Sequence, residues 1–142
     1  MLGVSKKKRL SGKKWKIIVA EDDPSGRNLI KLVLANMKIE NVTYVSDGLS
    51  AWQEIEKAEL DESPYDLVIS DWNMPIATGI ELLEQMRDDD VKTPFLMITG
   101  RGLSESAVEA KILGVSAFMS KPYSPQNMIR KIDELLNQKW AP

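Results

Sequence analysis

The chain has 142 residues, 19 basic and 21 acidic side chains, no cysteine and no histidine. That length fits one domain, which can bury roughly 68–70% of its unfolded surface and needs no staple to fold. The missing residue types exclude disulfide frameworks, thiolate or imidazole zinc sites, and Ser-His-Asp or Cys-His catalysis.

The net charge of −2 hides an asymmetry. Lys6, Lys7, Lys8, Arg9, Lys13, Lys14 and Lys16 put seven positive charges and no acid in residues 1–16, leaving 12 basic against 21 acidic side chains beyond them. Residues 1–14 are expected to be a basic flexible arm, charged and without hydrophobic periodicity, with a folded domain over 15–142. The arm is either a solvated leader or an electrostatic contact for nucleic acid, a membrane or the protein's own acidic face. No apolar stretch is long enough to span a bilayer, and the N-terminus lacks a signal peptide's apolar region, so a cytoplasmic location is expected.

Past Trp15, strands and helices alternate. Lys16 to Ala20 is a predicted strand, ended by Glu21-Asp22-Asp23. Pro24 and Ser25 open a helix with Leu29, Ile30, Val33, Leu34 and Met37 at helical spacing, Pro24 suiting the first turn and Asp23 its N-terminal charge. A strand over Val42 to Val45 precedes a helix over Gly48 to Ala58, with Leu49, Trp52 and Ile55 expected on one face. Leu67 to Ser70 is a third strand, followed at once by Asp71. A helix over Gly79 to Arg87 presents Ile80, Leu83 and Met86. Pro94 introduces a strand over Phe95 to Thr99. Ser104 and Glu105 start a helix running to Leu113 and stopped by Gly114. Ala117 to Ser120 is the fifth strand, and Ser124 and Pro125 cap a last helix.

Five strands alternating with five helices predict an α/β fold, a doubly wound parallel sheet covered on both faces. The near-wholly apolar runs at 17–20, 67–70 and 95–99 are the expected central strands. In such a sheet all strand C-termini share one edge, where ligands bind. That edge collects Glu21, Asp22, Asp71, Thr99 and Lys121. Carboxylates with an ammonium and a hydroxyl suit phosphoryl transfer. Mg²⁺ takes one or two carboxylates plus a phosphate, an Asp can accept a phosphoryl group, a Lys neutralises phosphoryl oxygens, and a Thr hydroxyl donates to one. Taken singly, each has an ordinary structural explanation; their convergence on one edge carries the argument.

The runs Ile69-Ser70-Asp71-Trp72-Asn73-Met74-Pro75, Ile18-Val19-Ala20-Glu21-Asp22-Asp23, Leu96-Met97-Ile98-Thr99-Gly100 and Ser120-Lys121-Pro122-Tyr123 resemble the receiver domains of two-component response regulators, most of all the chemotaxis-type single-domain members. The resemblance covers about 16–138. It implies strand order 2-1-3-4-5, an arrangement for which the chemotaxis family is itself the standard example. It implies Asp71 as phosphoacceptor for a sensor histidine kinase or histidine phosphotransfer protein. It places Mg²⁺ on Asp22, Asp71 and the backbone carbonyl of Asn73, with Glu21 acting through water. Lys121 would pair with Asp71 across a cis bond to Pro122. Thr99 and Phe118 would be switch residues, Phe118 replacing the Tyr of chemotaxis relatives. Arg101 is expected to set the phosphate lifetime, with Gly100 and Gly102 lending the neighbouring loop pliability. Trp72 is expected as a solvated ring beside the metal, or a partner contact.

The readout implied is the surface of the helix at 104–113, the fifth strand and the last helix, biased by a new local charge. Its target is a downstream protein, such as a motor switch or a relay component, reached by a monomer that neither binds DNA nor spans a membrane. Such a chain is a phosphoacceptor with autodephosphorylation rather than a turnover enzyme.

Three alternatives differ in chemistry. A haloacid-dehalogenase phosphatase needs an acid two residues past its nucleophile, where Asn73 stands. A flavin module needs a phosphate-cradling loop after the first strand, where three acids would repel it. A pseudo-receiver would bind partners without being phosphorylated.

Overall fold

The computed structural model describes residues 14–100, 110–111 and 113–137. Five strands form one parallel sheet: β1 (Lys16–Ala20), β2 (Asn41–Val45), β3 (Leu67–Asp71), β4 (Phe95–Thr99) and β5 (Ala117–Ser120), in the order β2-β1-β3-β4-β5. The described helices are α1 (Pro24–Asn36), α2 (Gly48–Leu60), α3 (Gly79–Asp88) and α4 (Pro125–Asn137). The expected sheet order is therefore present, with four helices among the described residues. The helix expected over 104–113, and with it Arg101 and Gly102, falls mostly outside them, as do residues 1–13 of the basic arm.

Alternate side chains of the central strands feed two cores. Ile18, Ala20, Val68, Trp72, Phe95 and Met97 pack under α2 and α3. Ile17, Val19, Leu67, Ile69, Leu96 and Ile98 pack under α1 and α4. Because both faces are covered, every residue of β3 and β4 is buried, and the polar-apolar alternation of a half-exposed strand is erased. Trp15 packs partly buried against the second core, while Lys14 is exposed.

Local signals account for the helix ends. The Asp23 carboxylate caps α1 by accepting from the Gly26 N–H, with Pro24 in the first turn. Asp47 caps α2 through Ser50. Thr78 and Glu81 form a reciprocal capping box on α3. Ser124 accepts from Asn127 at the start of α4. At the other ends, Lys38, Glu62 and Asp90 follow α1, α2 and α3 in left-handed backbone, at φ of 62°, 58° and 63°. In each case the next N–H reaches back to the carbonyl five residues earlier, as in Ile39 to Leu34, Ser63 to Ala58 and Val91 to Met86. Gly114, φ 93°, does the same after the helical residues 110–111, with Val115 N–H donating to the Ala110 carbonyl.

Three expectations need correction. α2 turns Ala51, Ile55 and Ala58 inward with Trp52 partly buried against the same core, and of the expected face leaves Leu49 exposed. The helix also runs two residues further than expected, to Leu60. Trp72 is 3% exposed and belongs to the core, not to solvent.

Arg87, on the last turn of α3, ties distant backbone together. Its guanidinium donates twice to the Gly114 carbonyl, at 3.1 and 2.8 Å, and to the carbonyls of Val91 at 2.8 Å and Thr93 at 3.0 Å. Burial lowers its pKa from the ordinary value.

Candidate functional site

β1, β3, β4 and β5 end side by side, each tip placing one side chain on the same edge. Strand register pairs Ala20 with Ser70, Asp71 with Ile98 and Thr99 with Ser120. Glu21 and Asp71 thus leave neighbouring strands together, and Lys121 follows β5 immediately. Two backbone bonds fix the tips: Trp72 N–H donates to Ile98 at 2.8 Å, and Lys121 N–H to Thr99 at 2.7 Å.

The Asp71 carboxylate, 8% exposed, accepts from Lys121 Nζ at 2.9 Å on Oδ2. The same ammonium lies 3.5 Å from Glu21 Oε1. Glu21 is almost fully buried, and its Oε2 accepts from the Asp23 N–H at 3.1 Å. Burial raises the Glu21 pKa to about 7, the Asp23 N–H opposes that rise, and the neighbouring Asp71 charge adds to it. Burial alone would lower the Lys121 pKa, but the hydrogen bond and charge of Asp71, with help from Glu21, leave it raised. The ammonium therefore stays charged at neutral pH.

Asp22 is exposed, yet one oxygen each from Glu21, Asp22 and Asp71 lie within 4.8 Å of one another. These are hard oxygen donors, and the burial of Glu21 makes its ionised form costly unless positive charge is near. The residues therefore fit a divalent cation such as Mg²⁺. Asn73 lies exposed in the loop after β3, two residues beyond Asp71. Thr99 is fully buried at the end of β4.

Phe118 is half-buried on β5 and meets the Trp72 ring edge-on, centroids 6.4 Å apart at 86°. This aromatic pair was missed in the sequence, because it depends on the register that sets Met97 beside Phe118. The Lys121–Pro122 bond is cis, as the resemblance implied. Pro122 leads to Tyr123, whose hydroxyl pKa is raised by burial, with Lys121 opposing. Gly79 was also passed over. A Cβ there would overlap the Asp71 carbonyl oxygen and come within 3.1 Å of Met97 Sδ, so α3 starts against the backbone of the site only because the residue is glycine.

The sequence profile of the response regulator receiver domain matches residues 17–133. Chemotaxis protein CheY-3 of Vibrio cholerae is 32% identical over 128 residues, covering 89% of this chain and 95% of that protein. The receiver domain of the Francisella response regulator 1452 superposes with a TM-score of 0.76 at 27% identity, covering 87% of this chain and 97% of that one. The receiver domain of the Pseudomonas aeruginosa sensor histidine kinase PA1611, solved with a magnesium ion coordinated in its active-site cleft, shares the fold at 20% identity with a TM-score of 0.76, covering 89% of this chain and all of that one. The profile spans all five strands and every acid, hydroxyl and ammonium at their tips; the chain belongs to the response regulator receiver domain family and is similar, over nearly its whole folded length, to its chemotaxis members.

Proposed function

We propose that this protein is a phosphorylation-controlled signalling module in which Asp71 accepts a phosphoryl group from a phosphohistidine on a sensor kinase or histidine phosphotransfer protein. The observation that carries this reading is the Asp71 carboxylate at a central strand tip, 2.9 Å from Lys121 Nζ and grouped with Glu21 and Asp22. An Asp71 oxygen attacks phosphorus, the P–N bond breaks, and the histidine nitrogen keeps the electron pair, leaving an acyl phosphate. Lys121 is placed to balance the negative charge of the carboxylate and then of the phosphoryl oxygens. Asp22, Asp71 and the Asn73 carbonyl, with Glu21 through water, would hold Mg²⁺, which supplies charge neutralisation at the transferring phosphoryl group.

Thr99 and Phe118 are the proposed readout. The Thr99 hydroxyl would donate to the new phosphoryl group, and Phe118 would repack in response. The surface of β5, α4 and the residues at 104–113 would then change its affinity for a target protein. The module is proposed to be monomeric and cytoplasmic, a phosphoacceptor rather than a turnover enzyme, with chemotaxis or a phosphorelay as its setting. Among the described residues no helix is long and apolar enough to cross a membrane.

The test is intact mass after incubation with acetyl phosphate, with Mg²⁺ or with EDTA, on wild type and Asp71→Ala. A phosphoryl adduct that needs the metal and vanishes in the variant is expected. No adduct in wild type under either condition would establish the pseudo-receiver reading instead.

A further inference from the structure

Glu21, Asp22 and Asp23 form the turn from β1 into α1, and hydrogen bonds hold that turn at both ends. Glu21 N–H donates to the Val45 carbonyl at 3.0 Å, and the Glu21 carbonyl accepts from Arg27 Nη1 at 2.8 Å. Asp23 N–H donates back to Glu21 Oε2 at 3.1 Å, and the Asp23 carboxylate accepts from Gly26 N–H at 2.9 Å. Asp22, between them, is exposed, so the backbone on either side aims its carboxylate and packing does not. The carbonyl that Arg27 grips belongs to the peptide joining Glu21 to Asp22. Fixing that oxygen fixes the peptide plane, and with it the direction in which the Asp22 side chain leaves the chain.

Arg27 is half-buried in the first turn of α1, and its guanidinium folds back past the start of the helix. A cation there faces the positive end of the helix dipole, so the helix itself gives no reason for the placement. Pairing with the acids gives none either. Arg27 directs Nη1 to a backbone carbonyl, with the Ser46 hydroxyl oxygen 3.4 Å away, and among the described residues the ion pairs are made by Lys92 and Lys121. Gly26, one residue earlier, opens the same helical turn to the buried acid. A Cβ there would lie 3.0 Å from Glu21 Oε1 and 3.1 Å from its Cδ. Glu21 has little freedom to give way, since Lys121 stands at Oε1 and the Asp23 N–H at Oε2.

We infer that Arg27 is a positioning residue for Mg²⁺ binding: it holds the Glu21–Asp22 peptide so that the Asp22 carboxylate meets Asp71, while Gly26 leaves Glu21 its place beside them. The inference rests on the reading of Asp71 as a Mg²⁺-dependent phosphoacceptor. An exposed carboxylate on an unpinned turn must be ordered when the cation arrives, and that ordering subtracts from affinity. The grip on the Glu21 carbonyl does the ordering in advance. Position and charge act with opposite sign here. The Arg27 charge repels a second cation nearby, so if charge alone acted, its removal would tighten Mg²⁺ binding. Loss of position weakens it.

The experiment follows melting temperature across a MgCl₂ titration, from EDTA upward at constant ionic strength, in wild type, Arg27→Met, Arg27→Lys and Gly26→Ala. Met keeps the apolar stem and the helix propensity and removes the donors. The rise with metal gives the affinity separately from the metal-free melt. Arg27→Met should bind Mg²⁺ about tenfold more weakly, the scale for losing a group that orients a metal ligand. Arg27→Lys, with a donor of shorter reach, should fall between it and wild type. Labelling of Arg27→Met by acetyl phosphate should be slow at low Mg²⁺ and return to the wild-type rate once the metal saturates. Equal or tighter Mg²⁺ binding in Arg27→Met would overturn the inference, and so would slow labelling that persists at saturation. Should Arg27→Met not fold, Gly26→Ala decides: alanine favours the helix, and the variant should bind Mg²⁺ more weakly than wild type, unchanged affinity being the overturning result. A wild type that does not respond to Mg²⁺ removes the metal site and the inference together. A wild type that binds Mg²⁺ but is not labelled removes the phosphoacceptor reading alone, and the affinities still decide the role of Arg27.

Discussion

Lys121 reaches from the loop after β5 to the tip of β3, where its Nζ stands 2.9 Å from Asp71 Oδ2 and 3.5 Å from Glu21 Oε1. One ammonium thus serves two carboxylates, one of them fully buried. Without it, Glu21 and Asp71 face each other with their repulsion uncompensated.

Replacing Lys121 with Ala should therefore slow labelling of Asp71 by acetyl phosphate about a hundredfold, the usual scale for losing one aimed donor at a reacting group. Arg at this position should not restore the rate, since its planar fork differs in reach and geometry from a point charge. The initial rate of adduct formation, followed by intact mass, reads both. A rate in Lys121→Ala equal to wild type would show that the cation is structural only.

Glu21 gives the metal-free protein a pH dependence. Its carboxyl titrates at about 7 in the folded chain against an ordinary 4.5, chiefly because it is buried. Between those values the folded state keeps a proton that the unfolded chain has released, so stability declines as pH rises from about 4.5 to 7 and then levels off. Glu21→Gln removes this penalty. In EDTA it should exceed wild type in urea resistance at pH 8 by on the order of 3 kcal/mol at most, and match it near pH 4.5. Mg²⁺ should stabilise wild type more at pH 8 than at pH 6, because its ligands must be deprotonated.

Gly79→Ala tests the close approach of α3 to the strand that carries Asp71. The added methyl collides with the carbonyl of Asp71 itself, so the site and the fold should suffer together. A loss of about 1–3 kcal/mol is expected from urea unfolding, the range for overpacking a dense interior. Labelling of Asp71 should slow in the same variant under conditions where it remains folded. Gly48→Ala meets Ala77 instead and should lose comparable stability while disturbing Asp71 less.

The helix ends offer the opposite kind of change. Lys38, Glu62 and Asp90 occupy a backbone conformation that glycine adopts freely. Glycine at Lys38 or Glu62 should raise stability by a few tenths to about 1 kcal/mol, the relief of left-handed strain less the entropy of a freer unfolded chain. Asp90 should respond least, since Asp tolerates this region and its 3.8 Å pair with Lys92 is exposed and weak. The three positions end different helices, so their effects should add. Thermal melts of the single and triple variants decide it.

The strands and the residues at their tips could be read from the chain because burial on both faces writes a continuous apolar run that ends where the polar edge begins. Leu67 to Ser70 followed by Asp71, and Ile17 to Ala20 followed by Glu21, are such runs. The reading failed where neighbours rather than local pattern decide. Trp72 is core because β5 brings Phe118 against it, a tertiary fact with no mark in the residues around Trp72. Of the adjacent acids, Glu21 is buried and Asp22 exposed, and their order in the chain does not say which. On α2, Ile55 and Trp52 face the core as expected but Leu49 does not, because the remaining inward positions are filled by small residues, Ala51 and Ala58, whose burial large apolar side chains do not mark. The Thr78–Glu81 box is different: its spacing stands in the sequence itself as a helix-start signal.

The Arg87 clamp has a mechanical meaning for the proposed switch. Thr99 is anchored by strand pairing with Ser120, and Gly114 is bolted to α3 and to the approach of β4 by the guanidinium. Thr99 and Gly114 are therefore two fixed posts, one held by the sheet and the other by α3, so a pull on Thr99 would leave Gly114 where it stands.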